Sequence, residues 1–397
     1  MVITLDMMQT LMLAVLFLFI GAGIRNVLPI FDRFVIPSPV VGGILFALLH
    51  LIFYQTGTLV LELDMTFKEP LMLLFFASIG YATDLNMIKR GGRDVIIFFV
   101  VAAVLMVIQN IWGAGMAGLM GENRMLGLIT GSMSMTGGHS TAAAWAPTLV
   151  EDFGFTEANT IGAASATFGL IAGSLIGAPI GQMLIKRKNL KPAEETESYD
   201  TDEVSQGDKS TPDYYNMMLT LIFLLLSVVL GSLTSDLLTV ILPQLVFPPA
   251  VLAMAYGALF RNLLSNPITY YEGANTLIQD IALNVFLALA LVELKLWELQ
   301  PVAGAMLVIL IGQVVIMAVY AVFVTYRTMG TDYDAAVLSG GHCGFGMGAS
   351  PNGIANMQAL TKEFGPAPRA FFVLPLVSML CDFSNMFILT FFINILG

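Results

Sequence analysis

The triplet Gly-Gly-His occurs at Gly137-Gly138-His139 and again at Gly340-Gly341-His342, each time inside a stretch apolar enough to sit in a bilayer. Two of the three histidines belong to these triplets. Glycines this close together disfavour a continuous helix by about 1 kcal/mol each relative to Ala, so both stretches are expected to turn back on themselves at membrane depth. A hairpin tip of that kind leaves backbone N–H groups unpaired, and glycine lets an anion approach them closely. A carboxylate is the natural guest. Ser132, Ser134, Thr136, Ser140 and Thr141 add hydroxyls at the first tip, and Ser339, His342, Ser350 and Asn352 add polar groups at the second. Two plainer readings stand beside this one. Small residues also let membrane helices pack closely, which two runs at equivalent places make less economical, and a neutral imidazole can serve only to pin a loop by hydrogen bonds.

Asp382 lies halfway along a long apolar run, and ionisable groups at that depth are functional candidates by default. The i, i+3 spacing sets the Asn385 amide on the same helix face, a pair of oxygens suited to a hard monovalent cation. Ser165 and Thr167 sit a similar distance into an earlier run, which makes two cation sites conceivable. Other polar residues have simpler roles. Glu293, Lys295 and Glu298 read as an interfacial charge cluster, Asp334 as a helix cap, Gln109 and Asn110 as helix–helix hydrogen bonders, and Arg369 as a lipid-facing or positive-inside residue at the cytoplasmic boundary.

These residues need a membrane scaffold. With 57% hydrophobic and 11% charged residues, the chain cannot be a water-soluble globule. Eight carboxylates fall between Glu194 and Asp213, so the net charge of −11 describes one polar segment rather than a surface. Cys343 and Cys381 lie in apolar surroundings and give neither a disulfide framework nor metal-ligand spacing. No basic residue precedes Arg25, so Met1 to Ile24 is expected to be a retained helix rather than a cleaved signal.

Apolar runs of spanning length fall at Leu5 to Ile24, Val35 to Tyr54, Leu71 to Ala82, Val95 to Met120 and Ile161 to Ile185. Five more fall at Met217 to Val240, Leu245 to Leu264, Thr276 to Val292, Val302 to Tyr326 and Ala370 to Leu396. The third and eighth are the short ones. The expected fold class is therefore an all-α polytopic membrane protein of ten transmembrane helices. Two five-helix repeats, 1–185 and 214–397, flank a linker at 186–213, and re-entrant hairpins lie at about 125–148 and 335–358. With the N-terminus outside, Arg25, Arg33, Lys89, Arg90, Arg93, Lys186, Arg187, Lys188, Lys191, Lys209, Arg261, Arg327, Lys362 and Arg369 lie inside. Only Lys68, Arg124 and Lys295 lie outside, as the positive-inside rule asks. Both termini are then external and the linker is cytoplasmic.

An odd number of spans per half makes the second half enter the membrane with opposite polarity. Pro147 and Phe153-Gly154 follow the first triplet as Pro351 and Phe364-Gly365 follow the second, and Pro37 and Pro39 match Pro248 and Pro249. Inverted repeats with interrupted segments at matching places point to a secondary transporter with its site at the midplane. A channel would also use re-entrant backbone, but a filter normally comes from several chains around an axis. An intramembrane hydrolase lacks its motifs here, since there is no H-E-x-x-H, G-x-S-x-G or G-x-x-x-x-G-K-[ST]. The chain is expected not to be an enzyme.

The chain closely resembles the bacterial sodium/glutamate symporters over nearly its whole length. The resemblance is carried by Pro70-Leu71-Met72-Leu73 with Phe75-Phe76-Ala77-Ser78-Ile79-Gly80, by Met133 to Trp145, by Ala166-Thr167-Phe168-Gly169-Leu170, by Leu294-Lys295-Leu296-Trp297-Glu298-Leu299 and by Tyr333 to Gly348. Ser140-Thr141 departs from the family's Gly-Thr. The resemblance implies a carrier in the bacterial cytoplasmic membrane that imports L-glutamate with sodium ions and uses no organic cofactor. Analogy with other re-entrant-loop carriers adds a homodimer with separate transport and scaffold subdomains and an elevator motion. Substrate contacts are then expected from Thr136, Gly137, Gly138, His139, Ser140, Thr141, Gly340, Gly341, His342, Cys343, Gly344 and Gly346, with sodium at Asp382, Asn385, Ser165 and Thr167. A related dicarboxylate such as aspartate or citrate is the nearest alternative substrate, and no nucleic-acid partner is expected.

Overall fold

A computed structural model describes residues 2–84, 92–192, 213–242, 245–263 and 270–396. Lys89, Arg90, Lys209, Leu264 and residues 193–212 of the expected linker, with seven of its eight carboxylates, lie outside the described residues. The described residues are mostly helical. The exception is a two-stranded parallel ribbon, β1 (Val2–Leu5) against β2 (Val60–Leu63) with Val2 opposite Val60, which corrects the all-α expectation. The β-branched Val2, Ile3, Thr4 and Val60 in these four-residue segments suit such a pairing.

Among the described residues eight helices are long and apolar enough to cross a membrane: α1 (Met7–Val27), α3 (Ser38–Gln55), α5 (Gly92–Leu119), α8 (Ala158–Lys188), α9 (Tyr214–Ile241), α11 (Glu272–Val292), α12 (Ala303–Thr328) and α15 (Pro368–Leu396). The remaining helices are α2 (Pro29–Arg33), α4 (Lys68–Ala82), α6 (Arg124–Ile129), α7 (Gly138–Glu151), α10 (Pro249–Leu263), α13 (Tyr333–Gly346) and α14 (Ser350–Phe364). The expected short pair was the third and eighth runs, but the eighth becomes the 21-residue α11. Its first turn recruits the polar Glu272 and Asn275, and Asn275 donates to Ser78 O at 3.1 Å. The seventh run gives the 15-residue α10 instead, because consecutive prolines suit a helix start at Pro249.

The chain forms two compact units. The first comprises Met1–Thr83, His139–Ala164 and Gly207–Gly304. Asp6 starts α1 with a capping box, accepting from Gln9 N at 2.9 Å while the Gln9 side chain accepts from Asp6 N. A β-carbon on Gly42 would lie 1.9 Å from Phe17 O, and one on Gly80 the same distance from Met254 O. Backbone-to-backbone crossings of α1 with α3 and α4 with α10 thus depend on small residues. The second unit comprises Asp84–Gly138, Ser165–Gln206 and Ala305–Gly397. Its core joins α5, α12, α13 and α15 through Phe98, Met106, Tyr326, Tyr333, Phe345, Leu374 and Val377. Each unit draws on both halves of the sequence.

Candidate functional site

In the second unit a set of polar side chains lies deep among apolar helices. Gln109, Asn110, Thr130, Ser132, Gln313 and Asn385 are essentially without exposed surface, and buried polar groups must be paired. They are paired across helices and loops. Gln109 Nε2 donates to Gly346 O at 2.7 Å, and the Thr136 hydroxyl donates to Gln109 Oε1 at 2.8 Å. Gln313 Nε2 donates to Gln109 O at 2.9 Å and Thr130 O at 3.3 Å. Asn110 Oδ1 accepts from Ser132 N at 3.0 Å. Gln109 thus bonds α5 to α13 and α12, as expected of a helix–helix hydrogen bonder, and it also holds the first Gly-rich segment, which Asn110 grips as well.

The two glycine motifs meet in this network. Thr136 Oγ1 lies 3.3 Å from Gly346 O, and a β-carbon on Gly138 would stand 2.9 Å from Gly348 O. Gly138 has φ +63°, a conformation that favours glycine. The first motif is non-helical from Thr130 to Gly137, but several of its N–H groups already have partners. Ser134 N and Met135 N donate to Gly131 O, and Gly137 N donates to Ser132 O at 2.9 Å. The expectation of free donors there is corrected for these residues, because the loop coils tightly upon itself. His139, Ser140 and Thr141 open α7 and belong to the first unit. His139 is buried there beside Ala143, Asn159 and Leu287.

The second motif differs more. Gly340, Gly341, His342, Cys343, Gly344 and Gly346 lie within the continuous α13, and the chain breaks only at 347–349. Here the glycines serve close packing. A β-carbon on Gly344 would sit 2.6 Å from the Asn352 backbone, and one on Gly340 2.9 Å from Gly177 O. His342 is fully buried, with ring centroids of Phe98 at 4.9 Å and of Tyr320 and Phe345 at 6.1 Å. Its Nδ1 is 2.8 Å from the Thr325 hydroxyl. Thr325 ends a π-helical turn at Ala321–Thr325, a local widening often found at functional sites. Cys343 is packed among Val101, Leu105, Met135 and Met317.

The ion candidates separate. Asn385 Oδ1 accepts from Ser132 Oγ at 2.7 Å and its Nδ2 donates to Ser132 O at 3.1 Å, so this amide clamps the first motif instead of pairing with Asp382. Asp382 is half-buried, and no hydrogen bond or ion pair among the described residues reaches its carboxylate. Ser165 is fully buried and its hydroxyl has no partner among the described residues; the same holds for Asn352 Oδ1 and Gln313 Oε1. Such oxygens fit a hard alkali cation. Among the described residues no three His, Cys, Asp or Glu cluster for a transition metal.

Two charged residues refine the sequence reading. Asp332, not Asp334, caps α13, accepting from Ala335 N at 2.8 Å, while Asp334 accepts from Ala370 N at 3.1 Å at the start of α15. Arg369 is tied down by carboxylates. It donates to Asp332 at 2.6 Å and to Met329 O, and lies 3.8 Å from Asp94. Sequence reasoning also missed Gln313, gave Asn352 only as a polar group at the second tip, and missed Asn356. The last two donate to Leu170 O and Gly173 O, each at 3.0 Å, and the signal available was their position in otherwise apolar or glycine-rich runs.

In the first unit a cavity of about 680 Å³ is lined by Lys68, Glu69, Glu151, Asp152, Asn159, Thr160, Glu293, Lys295 and Glu298, with Met65, Phe247 and Pro248 among its apolar walls. Lys68 pairs with Glu293 at 2.5 Å, and Lys295 lies 3.9 Å from Glu298. The expected charge cluster is thus part of a concave site.

Eight membrane-length helices among the described residues, with a buried polar network in the second unit, define a polytopic helical membrane protein. The chain belongs to the sodium/glutamate symporter family, whose description, Sodium/glutamate symporter, it matches over residues 3–366. It is 41% identical over 381 residues to the sodium/glutamate symporter of Escherichia coli (strain K12), covering 94% of this chain and 93% of that protein. The sodium/glutamate symporter of Haemophilus influenzae (strain ATCC 51907 / DSM 11121 / KW20 / Rd) is 37% identical over 382 residues, again 94% and 93% of the two chains.

Proposed function

We propose that the protein imports L-glutamate together with sodium ions across the bacterial cytoplasmic membrane by alternating access, as a transporter and not an enzyme. The observation that carries this reading is the meeting of Thr136 and Gly346 at Gln109, which joins two glycine motifs 200 residues apart in sequence. Family membership and the names of the similar proteins support the substrate and the coupling ion. The two motifs are assigned to re-entrant hairpins of inverted repeats. The loop from Thr136 to Thr141 and the end of α13 hold the substrate, and His342 acts by positioning that end.

Sodium is assigned to Asp382 and to the hydroxyls of Ser165 and Thr167. A glutamate monoanion entering a negative interior moves against about 2.3 kcal/mol per 100 mV. One sodium ion merely cancels its charge, so at least two are coupled and each cycle carries net positive charge inward. Compactness of the two units, each drawing on both halves, supports a transport subdomain moving against a scaffold in an elevator cycle, within a homodimer whose termini are external. Current recorded during uptake by protein in liposomes is expected to be inward and sodium-dependent, and unlabelled glutamate is expected to compete better than aspartate or citrate. An electroneutral cycle refutes the stoichiometry, and stronger competition by another dicarboxylate refutes the substrate.

A further inference from the structure

Lys68 is unusual in two respects. It is the one Lys, Arg, Asp or Glu among the described residues with less than a tenth of its surface exposed, at 9%. It is also the first residue of α4, where a helix disfavours a cation, and no side chain caps that helix. A buried ammonium at a positive helix end demands an anion. In this structure the anion is Glu293, at 2.5 Å.

Glu293 is shared. Asn159 donates to Glu293 Oε2 at 3.2 Å and to Ala290 O at 2.8 Å. Asn159 lines the 680 Å³ cavity and also a small space of about 10 Å³ beside His139, Ala163 and Leu287. The Lys68–Glu293–Asn159 contact therefore separates the open cavity from the buried histidine of the first triplet. A space of 680 Å³ is ample for one amino acid.

The lining contains two lysines against five carboxylates, so it exerts no general attraction on anions. It offers charges of both signs at short range, which matches a zwitterion bearing a second carboxylate. Resting on the functional reading above, we propose that this cavity is a docking station for the transported amino acid, and that Lys68 is its carboxylate-binding residue. The substrate carboxylate replaces Glu293 on Lys68. Glu293 then withdraws from Asn159, which opens the way toward His139. No bond is made or broken.

The experiment is the KM for labelled glutamate in proteoliposome uptake driven by an inward sodium gradient, measured for the unaltered protein and for Lys68→Met, Lys68→Arg, Glu293→Gln and the Lys68→Met/Glu293→Gln double variant. Lys68→Met is expected to raise KM by about tenfold or more, and Lys68→Arg by less than about threefold. Glu293→Gln is expected to lower KM, because substrate no longer competes for Lys68. The double variant, which leaves no lone buried charge, is expected to keep the high KM of Lys68→Met. An ion pair that only ties α4 to the end of α11 gives the opposite pattern: both single variants lose activity alike and the double variant returns to the unaltered KM. That pattern, or an unchanged KM in the double variant, overturns the assignment. Absence of glutamate uptake by the unaltered protein defeats the functional reading itself and is recognised before any variant is compared.

Discussion

Asn385 grips Ser132 twice, accepting the serine hydroxyl at 2.7 Å and donating to the serine carbonyl at 3.1 Å. A helix of the last quarter of the chain thereby fixes the loop that carries Thr136. Both residues are buried, so removing the amide takes the acceptor from the Ser132 hydroxyl and leaves the Ser132 carbonyl only its bond from Gly137 N. Asn385→Ala is expected to destabilise the folded protein by about 1–2 kcal/mol and to depress uptake at saturating sodium. Thermal unfolding in detergent checks the first expectation. If Asn385 were chiefly a sodium ligand, stability without sodium would be unchanged and only the sodium dependence would shift.

Thr325 and His342 make the second fixed point. Thr325→Val keeps the shape of the side chain but removes the hydroxyl from the imidazole Nδ1 at 2.8 Å. A loss of about 1 kcal/mol in stability is expected, with Thr325→Ser close to the unaltered protein. Equal behaviour of Val and Ser would show that this bond does not position α13.

Gly344 tests packing against conformational freedom. Its φ is not positive, yet a β-carbon would lie 2.6 Å from the Asn352 backbone, so Gly344→Ala must push α13 and α14 apart at about 1–3 kcal/mol. Loss of uptake with normal membrane insertion is expected. Gly115 has nothing within 4 Å, and Gly115→Ala is expected to be neutral or slightly stabilising. Measured uptake that is normal in both would remove the close approach as a requirement.

Glu298 gives a pH dependence with a definite sign. It lies in the short turn Leu296–Leu299 between α11 and α12. Burial raises its carboxyl above the ordinary value; Lys295 opposes this, Glu157 adds to it, the Thr160 hydroxyl opposes it and Glu293 adds to it. The folded protein thus binds this proton more tightly than the unfolded chain. Its contribution to stability is full below the unfolded value of about 4.3 and is lost as pH rises through that value toward the folded one. Glu298→Gln is expected to flatten this part of the curve of unfolding temperature against pH. An unaltered slope would contradict it.

What the sequence made legible follows from the range of each signal. Apolar runs report directly on membrane-length helices, so α1, α5, α9 and α15 fall close to where hydropathy sets them. Proline at Pro249 and the recruitment of Glu272 and Asn275 were local details that hydropathy blurs. The repeated triplet drew attention to the segments whose Thr136 and Gly346 both bond Gln109. It did not reveal that Gly340-Gly341-His342 stays helical, because glycine's low helix propensity of about 1 kcal/mol is overridden when the missing β-carbon permits close packing. Asn385 looked like an ion ligand because i, i+3 spacing shows which residues share a face, not what faces them. Lys68 stood in the sequence as one of three external basic residues; its burial against Glu293 is a contact 225 positions away that no local pattern encodes.

The most direct measurement of the central claim is glutamate accumulation in proteoliposomes driven by an inward sodium gradient, comparing the unaltered protein with Asp382→Asn. The account predicts accumulation against the glutamate gradient that vanishes when sodium is equal on both sides, together with a sodium requirement raised by about tenfold or more in the variant. Accumulation that ignores the sodium gradient, or a variant with unchanged sodium dependence, would contradict it.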